Sequence, residues 1–335
     1  MDSVDIEVLR SALGWLDEGQ GVTLATVVQT YGSSPRPPGA LLAIRGDGRV
    51  CGSVSGGCVE EDLIDQVRRG ELAAKGPELV TYGISREQAQ RFGLPCGGRL
   101  EIVLEPLEDR QAMAALLGAI QRRELIARIL DLQTGQIRLV PAGRDDELRF
   151  DGHTLTTVHG PRWRLIIIGA GQSSHYLAQM AQALDYQVII CDPREEYAAG
   201  WQLPGVELKT GMPDDVVNDL GLDSRSVVVA LTHDPRLDDM VLLEALDSAA
   251  FYVGALGSRA NNAKRRQRLA EHFGFTQEQL ARLHGPVGLP IGSRTPPEIA
   301  IAILAEITAK RHGLRLEVVD RERQEAPGVQ ALASA

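Results

Sequence analysis

Two kinds of hydrophobic patterning divide the chain, and the change falls near its middle. In the first half Leu9, Ala12, Leu13 and Leu16 recur at helical spacing, which predicts an amphipathic helix to about Asp17. Gly19-Gln-Gly21 stops it, and the β-branched run from Val22 to Thr30 reads as a strand. Residues 41–44 and 49–54 flank Gly46-Asp-Gly48 as a hairpin. An amphipathic helix is expected over 59–72, strands over 79–82 and 99–104, and a helix over 108–125. Residues 126–130 and 136–140 flank Gln133-Thr-Gly135 as a second hairpin, and the polar, turn-rich stretch 143–160 is where a domain junction is expected.

The second half reads differently. Leu165-Ile-Ile-Ile-Gly-Ala170 is continuously apolar, as a strand is when a parallel sheet is covered on both faces. Leu177, Met180, Ala181 and Leu184 follow at helical spacing. Strands at 188–191, 206–209, 227–231 and 251–255 alternate with helices at 213–220, 237–248, 259–273, 276–284 and 296–311. The expected fold class is therefore α/β: an N-terminal mixed α+β domain over 1–160, then a C-terminal Rossmann-like doubly wound parallel sheet over 161–320. The polar tail 321–335 is expected to be disordered.

Composition narrows the function classes. A length of 335 residues suffices for two domains, and 44% hydrophobic with 24% charged residues is a globular balance. A net charge of -10 argues against nucleic acid bound through the bulk surface. The four cysteines, at 51, 58, 96 and 191, are too sparse for a disulfide framework and include no CxxC, which fits a reducing cytosol. The acidic N-terminus lacks a charged-then-apolar leader, and no apolar run approaches the roughly 20 residues a bilayer requires. A cytoplasmic protein without membrane contact is expected.

Cys51-Gly-Ser-Val-Ser-Gly-Gly-Cys-Val-Glu-Glu-Asp62 carries the densest candidate chemistry. Glycines before a helix let backbone N–H groups converge on an anion, and Ser55, Gly56 and Gly57 are placed to do so. Cys58 falls at the first turn of the following helix, where the dipole favours a thiolate; a buried small residue closing a tight turn is the bland alternative. Phe92-Gly-Leu-Pro-Cys-Gly-Gly98 is a second loop of this kind, with Cys96 beside Gly97 and Gly98. Two thiolates favour a soft metal or a sulfur carrier, and Cys58 and Cys96 are the candidate metal ligands. Ser33-Ser34-Pro-Arg36-Pro-Pro-Gly39 holds a guanidinium in a proline-stiffened loop whose order binding would not have to create. Cys51 alternates into a strand and reads as core.

In the second half, Gly169-Ala-Gly171-Gln-Ser-Ser174 resembles the dinucleotide fingerprint, with Ser174 in place of the third glycine. Asp192, ending the next strand, stands where an acid would meet a ribose hydroxyl. Thr232-His233-Asp234 and Gly257-Ser-Arg259 sit at the carboxyl ends of later strands. His233 can act as acid, base or ligand, or can simply belong to a polar turn. The run Lys264-Arg-Arg-Gln-Arg268 reads as a solvated helix face, with an acidic-partner contact as the alternative. Thr295-Pro-Pro-Glu298 is a capping box, and Arg294 and Ser293 before it are better placed to touch a ligand. No P-loop, Gly-x-Ser-x-Gly elbow or HExxH occurs.

Gly32-Ser-Ser-Pro-Arg-Pro-Pro-Gly-Ala40, Gly52-Ser-Val-Ser-Gly-Gly-Cys-Val-Glu60 and Gly93-Leu-Pro-Cys-Gly-Gly98 together closely resemble the XdhC/CoxI family. Gly169-Ala-Gly171, Asp192-Pro-Arg194, Thr232-His-Asp234, Gly254-Ala-Leu-Gly-Ser-Arg259 and Gly288-Leu-Pro-Ile-Gly292 extend the likeness to about residue 310. The resemblance implies an accessory protein without turnover of its own. It would bind molybdenum cofactor, as molybdopterin or its cytosine dinucleotide form, shield it during sulfuration by a cysteine desulfurase, and deliver it to a molybdenum hydroxylase apoenzyme such as xanthine dehydrogenase. A homodimer is expected. The rival reading is an NAD(P)-dependent oxidoreductase built on the Gly169–Asp192 turn, with His233 as the only fair candidate in the second half for its hydride-acceptor site; a third is a scaffold docking an acidic partner through 264–268.

Overall fold

Strand β1 (Val22–Tyr31) is buried from Val22 to Val28 because both of its faces are covered. It is the middle strand of a five-stranded antiparallel sheet of order β3-β2-β1-β5-β4, with β2 (Leu41–Arg45), β3 (Val50–Gly52), β4 (Glu78–Tyr82) and β5 (Arg99–Pro106). In the computed structural model, residues 2–31, 36–83 and 99–314 are described, Cys58 by its backbone alone. Helices α1 (Ser3–Asp17) and α3 (Arg110–Gln121) cover one face, where Val8, Leu9, Met113 and Leu116 meet Leu24, Leu41 and Ala43. The opposite face takes α2 (Cys58–Arg68), whose Val59 and Leu63 pack on Ala25, Leu42, Ile44 and Ile102. Each fully buried aliphatic side chain here contributes roughly 1.5–3 kcal/mol, so the loop that starts α2 is anchored by its own helix.

Gly52, at the end of β3, has φ +93°, and a Cβ there would lie 2.3 Å from the Leu41 carbonyl and 2.5 Å from Val8. Only glycine lets the chain leave the sheet edge at this point.

A second sheet, of order β7-β6-β9-β8, comprises β6 (Ile126–Asp131), β7 (Ile137–Pro141), β8 (Arg149–Phe150) and β9 (Thr154–His159). Within the stretch 143–160, where the sequence suggests turns, β9 pairs with β6 along its whole length, from Ile126↔His159 to Asp131↔Thr154. Its alternate burial of Leu155, Thr157 and His159 is a period-2 pattern that flanking glycines and aspartates masked.

By its contacts the chain divides into two compact units: Met1–Arg164 with Asp185–Gln187 and Asp223–Arg225, and Leu165–Leu184 with Val188–Leu222 and Ser226–Ala335. The second is built on a six-stranded sheet of order β12-β11-β10-β13-β14-β15: β10 (Arg164–Ile168), β11 (Gln187–Cys191), β12 (Glu207–Lys209), β13 (Ser226–Ala230), β14 (Tyr252–Ala255) and β15 (Leu283–His284). The helices are α4 (Gln172–Ala183), α5 (Glu195–Ala198), α6 (Pro213–Leu220), α7 (Pro235–Asp247), α8 (Arg259–Phe273), α9 (Gln277–Ala281) and α10 (Pro296–Arg311). Strand order reverses between β10 and β13, the switch point at which such sheets bind ligands. The helix expected over 276–284 stops at Ala281, and Leu283–His284 instead joins the sheet edge as β15, parallel to β14. No helix among the described residues is long and apolar enough to cross a membrane. The tail 321–335 lies outside the described residues.

Candidate functional site

The loop between β3 and α2 does form an amide nest, but its anion comes from the chain itself. Glu60, one turn into α2, accepts from the Ser53 hydroxyl at 2.7 Å and from the amides of Val54 at 2.9 Å, Ser55 at 2.7 Å, Gly56 at 2.9 Å and Gly57 at 2.8 Å. The Ser55 hydroxyl also donates to it. Burial would raise the Glu60 pKa, but hydrogen bonds from Ser55, Ser53 and the loop amides outweigh it and hold the carboxyl at about 2. The expectation of an open cradle at Ser55, Gly56 and Gly57 is corrected accordingly: a ligand oxyanion must displace Glu60 or bind beside it. Arg36 Nε donates to the Ser53 carbonyl at 3.2 Å, so the proline-rich loop and the glycine loop meet. Gly39 closes that loop, its amide donating to Val27 at 2.8 Å. Cys58 is the first residue of α2. Ser34, Cys96, Gly97 and Gly98 lie outside the described residues. Cys51 is half-buried beside the α1 core, and among the described residues no three His, Cys, Asp or Glu side chains are grouped to hold a metal.

The Gly169–Gly171 turn is similarly self-contained. Gly169 has φ +106°, and a Cβ there would approach the Thr232 backbone to 3.1 Å, which brings the ends of β10 and β13 together. Asp192 is fully buried; it accepts from the Ala170 amide at 2.7 Å and from Arg194, through Nε at 2.9 Å and a terminal nitrogen at 2.8 Å. Burial raises its pKa, and Arg194 with the Ala170 amide more than offsets this, leaving it below the usual range. Arg194 itself lies over the Tyr197 ring at 3.9 Å. The acid expected to meet a ribose therefore braces the turn instead. Ser174 is buried, and its hydroxyl has no hydrogen-bond partner among the described residues.

Past β13, the Thr232 hydroxyl donates to Asp238 at 2.7 Å, and Asp234 caps α7 by accepting from the Arg236 amide at 2.9 Å. His233 sits between them with φ +62°, exposed beside a small pocket of about 200 Å³ shared with Asn261, Lys264 and Arg268. The basic run is corrected from a solvated face to an internal brace. Arg265 is buried and bonds Asp238 at 3.2 Å, Asp239 at 2.9 Å and the Leu256 carbonyl at 3.0 Å. Arg268 bonds Asp239 at 2.6 Å and Arg266 the Leu283 carbonyl at 2.6 Å. At the start of α10, Glu298 accepts from the amides of Arg294 at 2.7 Å and Thr295 at 2.9 Å, so that helix end also supplies its own carboxylate.

One cluster joins Gly288, from the Gly288–Gly292 motif, to three residues outside the quoted motifs, Tyr252, His284 and Glu306. Glu306 accepts from His284 Nδ1 at 2.6 Å, the Tyr252 hydroxyl at 2.7 Å and the Gly288 amide at 2.7 Å. The His284 and Tyr252 rings stack at 4.2 Å. Burial raises the Glu306 pKa, but the His284 and Tyr252 hydrogen bonds bring it below the ordinary value. Arg259 and Ser293 line the same cleft as His284. The available signal was a carboxylate inside an otherwise apolar helical stripe, Ile299, Ala302, Ile303 and Glu306, because a charge there needs partners.

These features define a two-unit α/β protein whose second unit is a Rossmann-type domain with a glycine turn braced by its own acid. Residues 165–307 match the XdhC Rossmann domain and residues 15–83 the XdhC and CoxI family, and the chain belongs to that family. It is 29% identical over 313 residues to the molybdenum cofactor insertion chaperone PaoD of Escherichia coli, covering 91% of this chain and 88% of the relative. It is 26% identical to a probable xanthine dehydrogenase subunit of Bacillus subtilis, covering 88% and 95%. A crystal structure described as a xanthine dehydrogenase from Bacillus halodurans superposes with a TM-score of 0.69 at 26% identity, covering 96% of this chain and 98% of that one.

Proposed function

We propose that this chain is a molybdenum cofactor insertion chaperone for a xanthine dehydrogenase-type hydroxylase. It binds the cofactor, protects it during sulfuration by a cysteine desulfurase and hands it to the apoenzyme. The carrying observation is the likeness to the insertion chaperone PaoD over 91% of the chain, with family matches in both halves. The chemistry of the first unit supports it. A cysteine is the first residue of α2, which follows a serine- and glycine-rich loop that Arg36 contacts. In this reading Cys58 and Cys96 serve the metal or a transferable sulfur, while Arg36 faces the anionic part of the cargo. Because Glu60 fills the nest, loop amides serve the cargo only after Glu60 swings away.

The test is mass spectrometry of the ligand released from protein purified anaerobically from a molybdenum-competent host. Molybdenum cofactor near one per chain is expected, with lower retention in Cys58→Ala. Absence of any pterin from the wild type would overturn the proposal, and unchanged retention in a Cys58→Ala, Cys96→Ala double variant would remove the thiols from it.

A further inference from the structure

With the nest at 53–57, the turn at 169–171 and the N-terminus of α10 each supplied by an internal carboxylate, a different feature of the second unit is open to a ligand. A cleft of about 1050 Å³ lies at the carboxyl-end edge of the sheet, beyond β15. One wall is a single face of α10, where Ile299, Ala302, Glu306 and Lys310 follow at intervals of three, four and four residues. The other is the 284–293 segment, which contributes His284, Val287, Leu289 and Pro290. Arg259, at the first turn of α8, also lines it. The space is apolar with a few convergent polar groups, the usual constitution of a small-molecule site.

The polar groups specify the ligand. Glu306 is held ionised by Tyr252, the Gly288 amide and His284, so His284 Nδ1 is the protonated ring nitrogen. Nε2 is then the nitrogen left for the cleft: an acceptor for a ring N–H while the imidazole is neutral, a donor to a ring oxygen once it is charged. Stacking on Tyr252 and the bond to Glu306 fix that nitrogen in place. The Glu306 charge is spent on its three donors, while Lys310 and Arg259 add positive charge. We propose that this cleft binds a phosphorylated bicyclic heterocycle, its ring N–H or oxygen on His284 Nε2, its flat face against Val287 and Leu289, and its phosphate toward Lys310. The inference rests on the chaperone reading in one respect: the cargo's phosphorylated pterin is the source of that chemistry, with a purine nucleotide as the other source.

The experiment titrates the full chain with a fluorescent oxidised pterin phosphate and, separately, with guanosine 5′-monophosphate. Tight, saturable binding of the pterin probe is expected, at least tenfold weaker in His284→Ala and in Lys310→Glu, and partly restored in His284→Gln, whose amide oxygen can accept in place of Nε2. Lys310 is exposed, so Lys310→Glu preserves the fold even if His284→Ala lowers thermal stability. Preference for the guanosine nucleotide, with the same loss in both variants, keeps the cleft as a phosphorylated-heterocycle site and assigns it to a nucleotide. Equal affinity in wild type, His284→Ala and Lys310→Glu, or no binding of either probe, overturns the inference. The two readings separate cleanly. Cofactor retained equally by wild type and cleft variants after anaerobic purification, with neither probe binding more weakly to the variants, sinks the cleft alone. Probe binding lost in the variants, with no cofactor ever retained by the wild type, sinks the chaperone reading alone.

Discussion

The Ser53 hydroxyl donates to Glu60 at 2.7 Å, so the last residues of the β3 edge and the first turn of α2 are closed on each other by one carboxylate. Glutamate three residues into a helix ordinarily caps one or two amides. Here it also satisfies the turn before the helix, and it is the keystone of the loop that carries Cys58. Glu60→Gln, which loses the charge and turns an amide donor toward other donors, is expected to cost about 2–3 kcal/mol in urea unfolding at pH 7. The carboxyl is depressed to about 2 from an ordinary 4.5, so its contribution is present in full above about pH 4.5 and is lost as pH falls through about 2. The gap between wild type and variant should close over that window.

Asp5 behaves in the opposite sense. Burial, then the neighbouring Asp2, raise its pKa to about 6 from 3.8, against a smaller lowering by the N-terminus and Arg36. A raised carboxyl favours the folded state while it is neutral, so its stabilising share is complete below about pH 3.8 and disappears as pH rises through 6. Asp5→Asn is expected to raise stability by ~1 kcal/mol at pH 7, allowing for solvent at this half-buried group, and by nothing at pH 4. Thermal melts across pH 4 to 8 read the difference directly.

Calorimetry with NAD and with NADP should show no saturable binding to the wild type. A ribose diol needs an acceptor, and both oxygens of Asp192 already accept from Arg194 or Ala170. Micromolar heat from either nucleotide would restore the oxidoreductase reading.

Arg265 holds Asp238 and Asp239 under the end of β13, and both it and Asp238 are buried. Removing one partner of a buried ion pair typically costs about 3–5 kcal/mol, because the other charge is left without compensation. Arg265→Ala should destabilise by that order, and Asp238→Asn in the same background should recover part of the loss. Equal melting temperatures for wild type and Arg265→Ala would show the run 264–268 to be the solvated face that its composition suggests.

How much of the fold is legible in the sequence follows from the range over which each signal acts. The apolar run 165–168, the glycine turn after it and the strand–helix alternation are local patterns, and the doubly wound sheet follows from them; so does the glycine loop that opens α2. Strand β9 is hidden because turn-forming residues surround it, and only its pairing with β6 places it inside a sheet. The ends of the last helices are blurred for a similar reason: Leu283 and His284 are strand only because β14 lies beside them.

The chemistry divides the same way. Residue types that bind anions can be recognised one loop at a time, and the chain shows several. Which anion reaches them depends on how the backbone closes in space. Glu60 returns to its own turn, Asp192 faces Ala170 and Arg194, and Glu306 meets a histidine 22 residues earlier. A buried carboxylate must find donors, and folding gives it the nearest ones. That requirement fills the cradles which looked open in the sequence, and it sets His284 at the cleft beside the Gly288–Gly292 segment.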